Sequence, residues 1–329
     1  MSFQSLPKVE LHTHLEGAAP PAFIRGLAKE KSIDISKIFD ENGDYAYADF
    51  NEFLSIYEAA CTTLRSPEDF HRLTMAVLEE TAAQGVVYME TFVSPEFCGG
   101  GDLVAWRDYL AAIEAAANEA ETKFGITLRG IPTIIRHFGP ERAKATAICA
   151  AETKGRFIAG FGLAGGELAG RPGDFAYCFD MAREAGLRLT AHAGEWGGPD
   201  MVADTIRDLG VERIGHGINA HTDAALLEEI AEKGITLEVC PGSNVVLKAV
   251  SGWKEHPISK LRDAGVKVTV STDDPPFFHT TMTAEYENLS RHFGWDEADF
   301  AMLAQTSLDA AFCDDETKEA ITKKLKAAS

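Results

Sequence analysis

Eight short apolar segments rich in β-branched residues recur along the chain and restrict the folds it can adopt. Between most of them lie segments with apolar residues at helical spacing, and glycines such as Gly186, Gly234 and Gly265 end these helical patterns. From the third segment onward the starts lie about 24 to 31 residues apart, which is room for one helix and two short loops. The predicted strands are Val9–His12, Val86–Val93, Leu128–Ile135, Phe157–Leu163, Leu187–Ala193, Val211–His216, Ile235–Cys240 and Val266–Thr272.

This alternation of strands and helices predicts an α/β fold, the (β/α)8 TIM barrel. A doubly wound open sheet is the alternative, but it usually has fewer strands and often carries a GxGxxG turn, which Gly162–Gly166 does not match. About 70 residues separate the first two strands, and the helices predicted there are expected to close over the barrel mouth. These are Pro20–Lys31, Phe50–Leu64 and Ser66–Gln84, and the chain ends in further helices within Thr281–Ser329. Because we find neither a linker nor a repeat, we predict one domain, residues 1–329.

Charge and cysteine usage narrow the possible partners and compartments. The formal net charge is −20 and the sequence pI is about 4.9, which argues against nucleic acid or an anionic membrane as a partner. The six cysteines include no CxxC pair, so we expect reduced thiols. The N-terminus lacks a signal-peptide pattern and no apolar run is long enough to span a bilayer, so we expect a cytoplasmic protein.

Histidines and acids follow four of the predicted strands at their C-terminal ends, where barrel enzymes carry their reactive groups. His12 and His14 project to the same side of the first strand, because side chains alternate along a strand. His192 ends the fifth strand and Asp273 follows the eighth. Three histidines and one carboxylate suit zinc, with water completing the shell, so we predict these four residues as its ligands. Two-metal barrel hydrolases often need a lysine at the end of strand four; Phe157–Leu163 has none, which favours one zinc ion per chain.

Three further side chains at the same rim suit hydrolytic chemistry, because zinc lowers the pKa of its bound water towards neutrality. Glu195 is placed to act as a proton shuttle, His216 can hold or deprotonate the water, and Asp274 is free for substrate contact. Each alone is compatible with an ordinary turn or a packed histidine, but the four strand ends together favour an active site. We expect the other histidines, among them His137 and His256, to be structural.

Six motifs, spread in order over nearly the whole chain, resemble those of the adenosine and adenine deaminases in the metal-dependent amidohydrolase group. The motifs are His12-Thr13-His14-Leu15-Glu16-Gly17, Leu163-Ala164-Gly165-Gly166-Glu167, His192-Ala193-Gly194-Glu195, Gly215-His216-Gly217, Cys240-Pro241-Gly242-Ser243-Asn244 and Thr272-Asp273-Asp274-Pro275. The resemblance implies the zinc ligands named above and hydrolytic loss of ammonia from C6 of a purine. It also implies that Glu195 protonates N1 and that His216 assists the attacking hydroxide. The implied substrate contacts are His14, Glu16, Gly165 through its backbone at N3, and Asp274 at N7.

The substrate within this group depends on few positions. Adenosine deaminases typically have Asp in place of Glu16, whereas adenine deaminases have Glu there, filling the space of a ribose. Leu163–Glu167 is similar to the adenosine branch, and Gly242 matches neither branch. We expect adenosine and 2′-deoxyadenosine as substrates; adenine or another 6-aminopurine nucleoside is the alternative. A catalytically silent purine-binding protein is a further alternative, although it would not need Glu195 or His216. The oligomeric state is left open.

Overall fold

Eight parallel strands, all adjacent in chain order, form the centre of the molecule. The computed structural model describes residues 3–327, so Met1, Ser2, Ala328 and Ser329 of the expected domain lie outside the described residues. The strands are β1 (Lys8–Glu10), β2 (Val86–Val93), β3 (Thr127–Ile135), β4 (Gly160–Ala164), β5 (Arg188–Ala193), β6 (Arg213–His216), β7 (Thr236–Val239) and β8 (Lys267–Val270). This order is that of a (β/α)8 barrel, so the predicted fold class is confirmed.

Helices connect the strands and surround them. They are α1 (Pro21–Lys31), α2 (Phe50–Cys61), α3 (Pro67–Ala83), α4 (Leu103–Phe124), α5 (Pro140–Glu152), α6 (Ala176–Glu184), α7 (Pro199–Leu209), α8 (Ala224–Lys233), α9 (Pro241–Val246), α10 (Ile258–Asp263), α11 (Met282–Phe293), α12 (Glu297–Ala310) and α13 (Asp315–Ala327). Within residues 3–327, no helix is both long and apolar enough to cross a bilayer.

The three helices predicted between the first two strands are present, and local sequence explains where two of them begin. The carboxylate of Asp49 accepts hydrogen bonds from the backbone N–H groups of Asn51 and Glu52 and so caps α2. The hydroxyl of Ser66 accepts from the N–H of Asp69 and caps α3, whose first residue is Pro67. The extra helices and the helical C-terminus are therefore confirmed.

The barrel closes between β1 and β8 through an irregular seam. The prediction that the first strand reaches His12 is wrong, because the N–H groups of Leu11 and His12 donate to the Ser271 hydroxyl at 3.2 and 3.1 Å. Beyond that point the N–H of Asp273 donates to the carbonyl of His12, and the N–H of His14 donates to the carbonyl of Asp273, both at 3.1 Å. Three of the expected metal ligands therefore close the barrel with their own backbones.

Candidate active site

The four expected metal ligands meet at the C-terminal end of the barrel. One side-chain donor atom from each of His12, His14, His192 and Asp273 lies within 4.8 Å of the others. Nε2 of His14 is 3.2 Å from Nε2 of His192 and 3.3 Å from Oδ1 of Asp273. Nε2 of His12 is 3.6 Å from the same carboxylate oxygen. The structure therefore brings together one residue of β5 and three residues from the segments that follow β1 and β8.

Hydrogen bonds on the far sides of two imidazoles point their lone pairs into this cluster. Nδ1 of His12 donates to Glu238 Oε2 at 2.7 Å, and Nδ1 of His192 donates to the carbonyl of Leu163 at 2.9 Å. Both rings consequently present an unprotonated Nε2 when neutral, as metal-binding histidines do. Within the described chain, the buried Nε2 of His12 has no hydrogen-bond partner. This orphaned atom and the His3Asp donor set fit a divalent metal ion.

The backbone is strained at two positions in the site. Asp273 has a φ of 66° and His216 a φ of 61°, both in the left-handed region that non-glycine residues seldom adopt. The hydroxyl of Ser243 donates to Oδ2 of Asp273 at 2.7 Å, which leaves Oδ1 facing the three histidines. Such conformations persist where surrounding contacts hold them, and they concentrate at functional sites.

Glu195 and His216 lie next to the cluster and are almost completely buried. Oε2 of Glu195 is 3.6 Å from Nε2 of His216. Burial, together with the negative charge of Asp273, raises the pKa of Glu195 well above its usual value. Burial also lowers the pKa of His216 to about 3, so its imidazole is neutral near pH 7. The site therefore holds a carboxylic acid that can donate a proton beside an uncharged histidine.

Glu167 fixes the loop that carries Glu195, a role that the sequence analysis missed. Its carboxylate accepts hydrogen bonds from the N–H groups of Glu195 at 3.0 Å and Trp196 at 2.7 Å. The guanidinium of Arg136 donates to the carbonyls of Glu167 and His192, both at 2.9 Å. Glu167 belongs to a motif that the sequence analysis singled out, but its partners lie on a different strand connection, so spacing along the chain gives no sign of the contact.

A cavity of about 60 Å³ adjoins the cluster and is bounded on its outer side by α2. The side chains that α2 contributes recur at helical spacing, so one face of the helix covers the barrel mouth. They are Phe50, Phe53, Leu54, Tyr57 and Glu58. Ile135 at the end of β3 adds an apolar group, as do Phe97 and Leu247 from the segments after β2 and α9. A helix predicted from the long insertion after β1 thus shares this cavity with three of the expected metal ligands.

Three of the four expected substrate-contact residues line this cavity: His14, Gly165 and Asp274. Gly165 has a φ of +88°, and an added Cβ there would come within 2.7 Å of Nδ1 of His137. Oδ1 of Asp274 is buried and has no hydrogen-bond partner among residues 3–327. Glu16 lies behind the wall instead, where its carboxylate accepts from the N–H of Ser94 at 3.2 Å and from the hydroxyl of Tyr57 at 3.4 Å.

Two histidines that were expected to have purely structural roles lie at or near the cavity. Nε2 of His137 is 3.0 Å from Oε1 of Glu58, and its Nδ1 accepts from the N–H of Gly166 at 3.0 Å. Nε2 of His256 is 3.3 Å from Oδ1 of Asn244, which in turn contacts Glu195. His137 follows the end of β3 by two residues, so the strand-end rule could have found it, but the sequence showed no partner for it. His256 lies within the β7–β8 connection, far from a strand end, and that rule gives no sign of it.

A parallel barrel with three histidines and an aspartate at this rim is the architecture of metal-dependent amidohydrolases. The sequence profile described as adenosine deaminase matches residues 7–328, and the chain belongs to that family.

Comparisons with individual proteins agree with this assignment. An adenine deaminase from Rhizobium rhizogenes is 44% identical over 322 residues, which cover 97% of this chain and 99% of that protein. The crystal structure of adenine deaminase from Arthrobacter aurescens is 29% identical, has a TM-score of 0.89 and covers 98% of each chain. An amidohydrolase from Burkholderia ambifaria, solved with bound zinc, is 30% identical with a TM-score of 0.87, covering 99% of this chain and 92% of that one. The chain is thus similar to enzymes that deaminate adenine-type substrates.

Proposed function

We propose that this protein catalyses the zinc-dependent hydrolysis of adenine to hypoxanthine and ammonia. The observation that carries the choice of adenine is the apolar wall that α2 places over the cavity. Relatives named adenine deaminase, up to 44% identical over nearly the full length, support the same choice. The proposed substrate is therefore adenine, the alternative in the sequence analysis, and not adenosine, which the sequence motifs favoured.

The wall favours a free base because a ribose would bury several hydroxyl groups against it. Phe50, Phe53 and Phe97 offer aromatic rings rather than hydrogen-bond partners. The polar side chains of Glu58 and His137 also line the cavity, but they already pair with each other at 3.0 Å. A buried hydroxyl without a partner costs roughly 1 to 3 kcal/mol. Tyr57 could serve a hydroxyl, but its own hydroxyl is directed to the buried carboxylate of Glu16. Glu16 thus influences substrate choice by holding the wall in place.

The residues at the candidate metal site suit deamination at C6 of a purine. Zinc held by His12, His14, His192 and Asp273 would lower the pKa of water and supply hydroxide near neutral pH. Glu195, protonated because it is buried, gives its proton to N1 of the purine and makes C6 more electrophilic.

Two other groups orient the ring in this proposal. Burial and the adjacent charge of Asp273 raise the pKa of Asp274 well above its usual value, so Asp274 can donate a hydrogen bond to N7. The backbone N–H of Gly165 faces N3, and its φ of +88° brings the backbone to the cavity without a Cβ in the way. Together these contacts would hold C6 towards the expected metal ligands and N1 towards Glu195.

The test is the rate of ammonia release from adenine and adenosine at equal concentrations, using protein whose zinc content has been measured. We expect kcat/KM for adenine to exceed that for adenosine by at least about 100-fold. Leu54→Ala and Phe53→Ala shorten two side chains of the wall. Each should lower the ratio of kcat/KM for adenine to kcat/KM for adenosine. Faster release from adenosine would overturn the substrate assignment, and equal activity of zinc-free and zinc-loaded protein would overturn the metal's role.

A 6-aminopurine nucleoside is the second candidate, and one observation favours it. An outer recess of about 890 Å³ begins at the cavity wall and shares Phe50, Leu54, Glu58, His137 and Leu247 with it. If α2 shifts outward, a ribose could enter this recess. In that case wild-type protein would release ammonia from adenosine, and the Leu54→Ala variant would lower KM for the nucleoside alone.

A further inference from the structure

A chain of buried hydrogen bonds reaches His216 through Asn244 and His256, neither of which is among the residues that line the cavity. Nδ1 of His256 is 3.2 Å from the backbone nitrogen of Ile258, and Nε2 of His256 is 3.3 Å from Oδ1 of Asn244. Nδ2 of Asn244 is 3.2 Å from Nδ1 of His216 and 3.3 Å from Oε1 of Glu195. Asn244, His216 and His256 are at most 3% exposed and Glu195 is 7% exposed, so these groups have to satisfy one another.

The direction of each bond follows from the first one. A backbone N–H can only donate, so Nδ1 of His256 accepts from Ile258. Burial lowers the pKa of His256 to about 3, and its single proton is therefore on Nε2. That N–H donates to the carbonyl oxygen of Asn244, which fixes the orientation of the amide and turns its NH2 group towards the active site.

The amide has two hydrogens and two acceptors in reach. One hydrogen goes to Nδ1 of His216, so this nitrogen carries no proton. The other goes to Oε1 of Glu195, which leaves Oε2 to carry the acidic proton. Oε2 of Glu195 and Nε2 of His216 lie 3.6 Å apart, too far for a hydrogen bond between them, so each atom can carry a proton that is donated to a third group.

We propose that His256 is a positioning residue that, through Asn244, fixes His216 as the tautomer with its proton on Nε2. His216 then presents an N–H to the cavity, and it holds the attacking oxygen by donating a hydrogen bond instead of removing a proton from it. The hydrogen bond from His216 to the attacking oxygen rests on the proposed function. The tautomer of His216 does not, because it follows from the hydrogen bonds alone. It decides between the two roles, holding or deprotonating water, that the sequence left open for His216.

The local sequence explains why the backbone N–H of Ile258, the first donor in this series of hydrogen bonds, is free to bond His256. Ile258 is the first residue of α10, so its N–H has no partner within the helix. Pro257 before it has no N–H at all, and His256 can bend back over the helix start to accept from Ile258. Asn244 lies in α9, only twelve residues earlier, so one β7–β8 connection supplies both relay residues.

The primary test is ¹⁵N NMR of the histidine rings in zinc-loaded, full-length protein, with His216 assigned by comparison with the His216→Asn variant. In wild-type protein we expect His216 to be the Nε2–H tautomer. His256→Leu removes the donor to Asn244, lets the amide rotate and should add the Nδ1–H form. His256→Gln keeps an N–H donor near the position of Nε2 and should restore the wild-type spectrum.

Kinetics give a second readout that a purely structural role would not produce. His256→Leu should lower kcat by about 10- to 100-fold, while KM and zinc content stay near wild type. His256→Gln should recover most of that loss. An Nδ1–H tautomer in wild-type protein, or an unchanged tautomer in His256→Leu, would overturn the inference; the wild-type spectrum decides even if the leucine variant does not fold.

The spectrum also separates this inference from the proposed function. If His216 is the Nε2–H tautomer but His216→Asn retains full turnover, the tautomer assignment stands and the role proposed for His216 in deamination fails.

Discussion

Asp273 and Asp274 show how strongly single residues depend on their surroundings in this site. Both are buried, and burial alone would raise the pKa of each carboxyl. The imidazoles of His12 and His14, whose Nε2 atoms lie 3.6 and 3.3 Å from its Oδ1, nevertheless hold the pKa of Asp273 well below its usual value. Asp274 lacks such partners and lies beside the charge of Asp273, so its pKa is well above the usual value. Two adjacent aspartates therefore differ in charge: Asp273 is an ionised carboxylate that suits a metal ion, and Asp274 is a neutral carboxyl that can donate a hydrogen bond.

At the same scale, Glu195→Gln tests the proton donor. Glutamine keeps the volume and can still accept from Asn244, but it has no acidic proton. We expect kcat to fall by about 10²- to 10⁴-fold with zinc content unchanged. Ammonia release and metal analysis measure the two quantities. Glu229→Gln on the exposed face of α8 is the control and should have no effect; turnover that survives in Glu195→Gln would remove this residue from the mechanism.

At the scale of elements, the first turn of α9 depends on a helix that lies outside the barrel. Glu285 of α11 accepts from the N–H of Gly242 at 3.0 Å and from the hydroxyl of Thr280 at 2.6 Å. A Cβ at Gly242 would come within 2.1 Å of the Glu285 carboxylate. The glycine that fitted neither branch of the family thus has a steric reason. The same turn carries Ser243, which holds Asp273.

This contact predicts a pH dependence of stability. Burial raises the pKa of Glu285 from 4.5 to about 8, so the folded protein keeps a proton that the unfolded chain loses. Its stabilising contribution is complete below the unfolded pKa and disappears as the pH rises through about 8. Glu285→Gln, which cannot ionise, should therefore be more stable than wild type above about pH 8, by a few kcal/mol, and similar to it near pH 4.5.

Thermal or urea unfolding of both proteins across this pH range measures the difference. Glu255→Gln in the β7–β8 connection, whose carboxylate is not buried, should follow the wild-type curve. If the free energies of unfolding of Glu285→Gln and wild type differ by the same amount at every pH, the carboxyl of Glu285 does not retain its proton in the folded protein.

At the scale of the whole molecule, a buried arginine in the barrel interior contacts the C-terminal segment and a residue that supports the candidate metal site. Arg213 on β6 forms ion pairs with Glu90, at 2.7 Å, and with Glu238. Its guanidinium carbon lies 3.5 Å from the ring centroid of Phe312, after α12. Glu238 also accepts a hydrogen bond from Nδ1 of His12, so the carboxylate that orients this expected metal ligand has its own charge balanced by Arg213.

Arg213→Met should therefore destabilise the protein by about 3 to 5 kcal/mol, because it leaves two buried carboxylates unpaired. Urea denaturation of zinc-loaded protein measures the loss. Arg188→Met is the matched control, since Arg188 also packs over Phe312 but is partly exposed with its partner Glu212; it should cost less than about 1 kcal/mol. Similar losses in both variants would show that the aromatic contact, rather than the buried charge, is what matters.

The sequence by itself determined the barrel, the extra helices and the residues that meet at the candidate metal site. Each of these depends on a local signal: apolar periodicity, a capping residue, or a histidine or acid at the end of a strand. His12, His14, His192 and Asp273 could be found because parallel strands in a barrel bring their C-terminal ends to one rim, whatever their separation in the sequence. The family motifs depend on the same positions.

Only the tertiary structure decided which groups orient these residues and how much space the substrate has. Glu238, Asn244 and Glu167 contact the site residues through hydrogen bonds between different connections, and no spacing rule predicts which distant side chains will meet. The position of α2 over the cavity depends likewise on packing between elements that are far apart in the chain. Reactive residues at strand ends can therefore be predicted from the sequence. Tautomers, pKa values and the size of the substrate cavity cannot, because they depend on burial and on distances that only the folded chain sets.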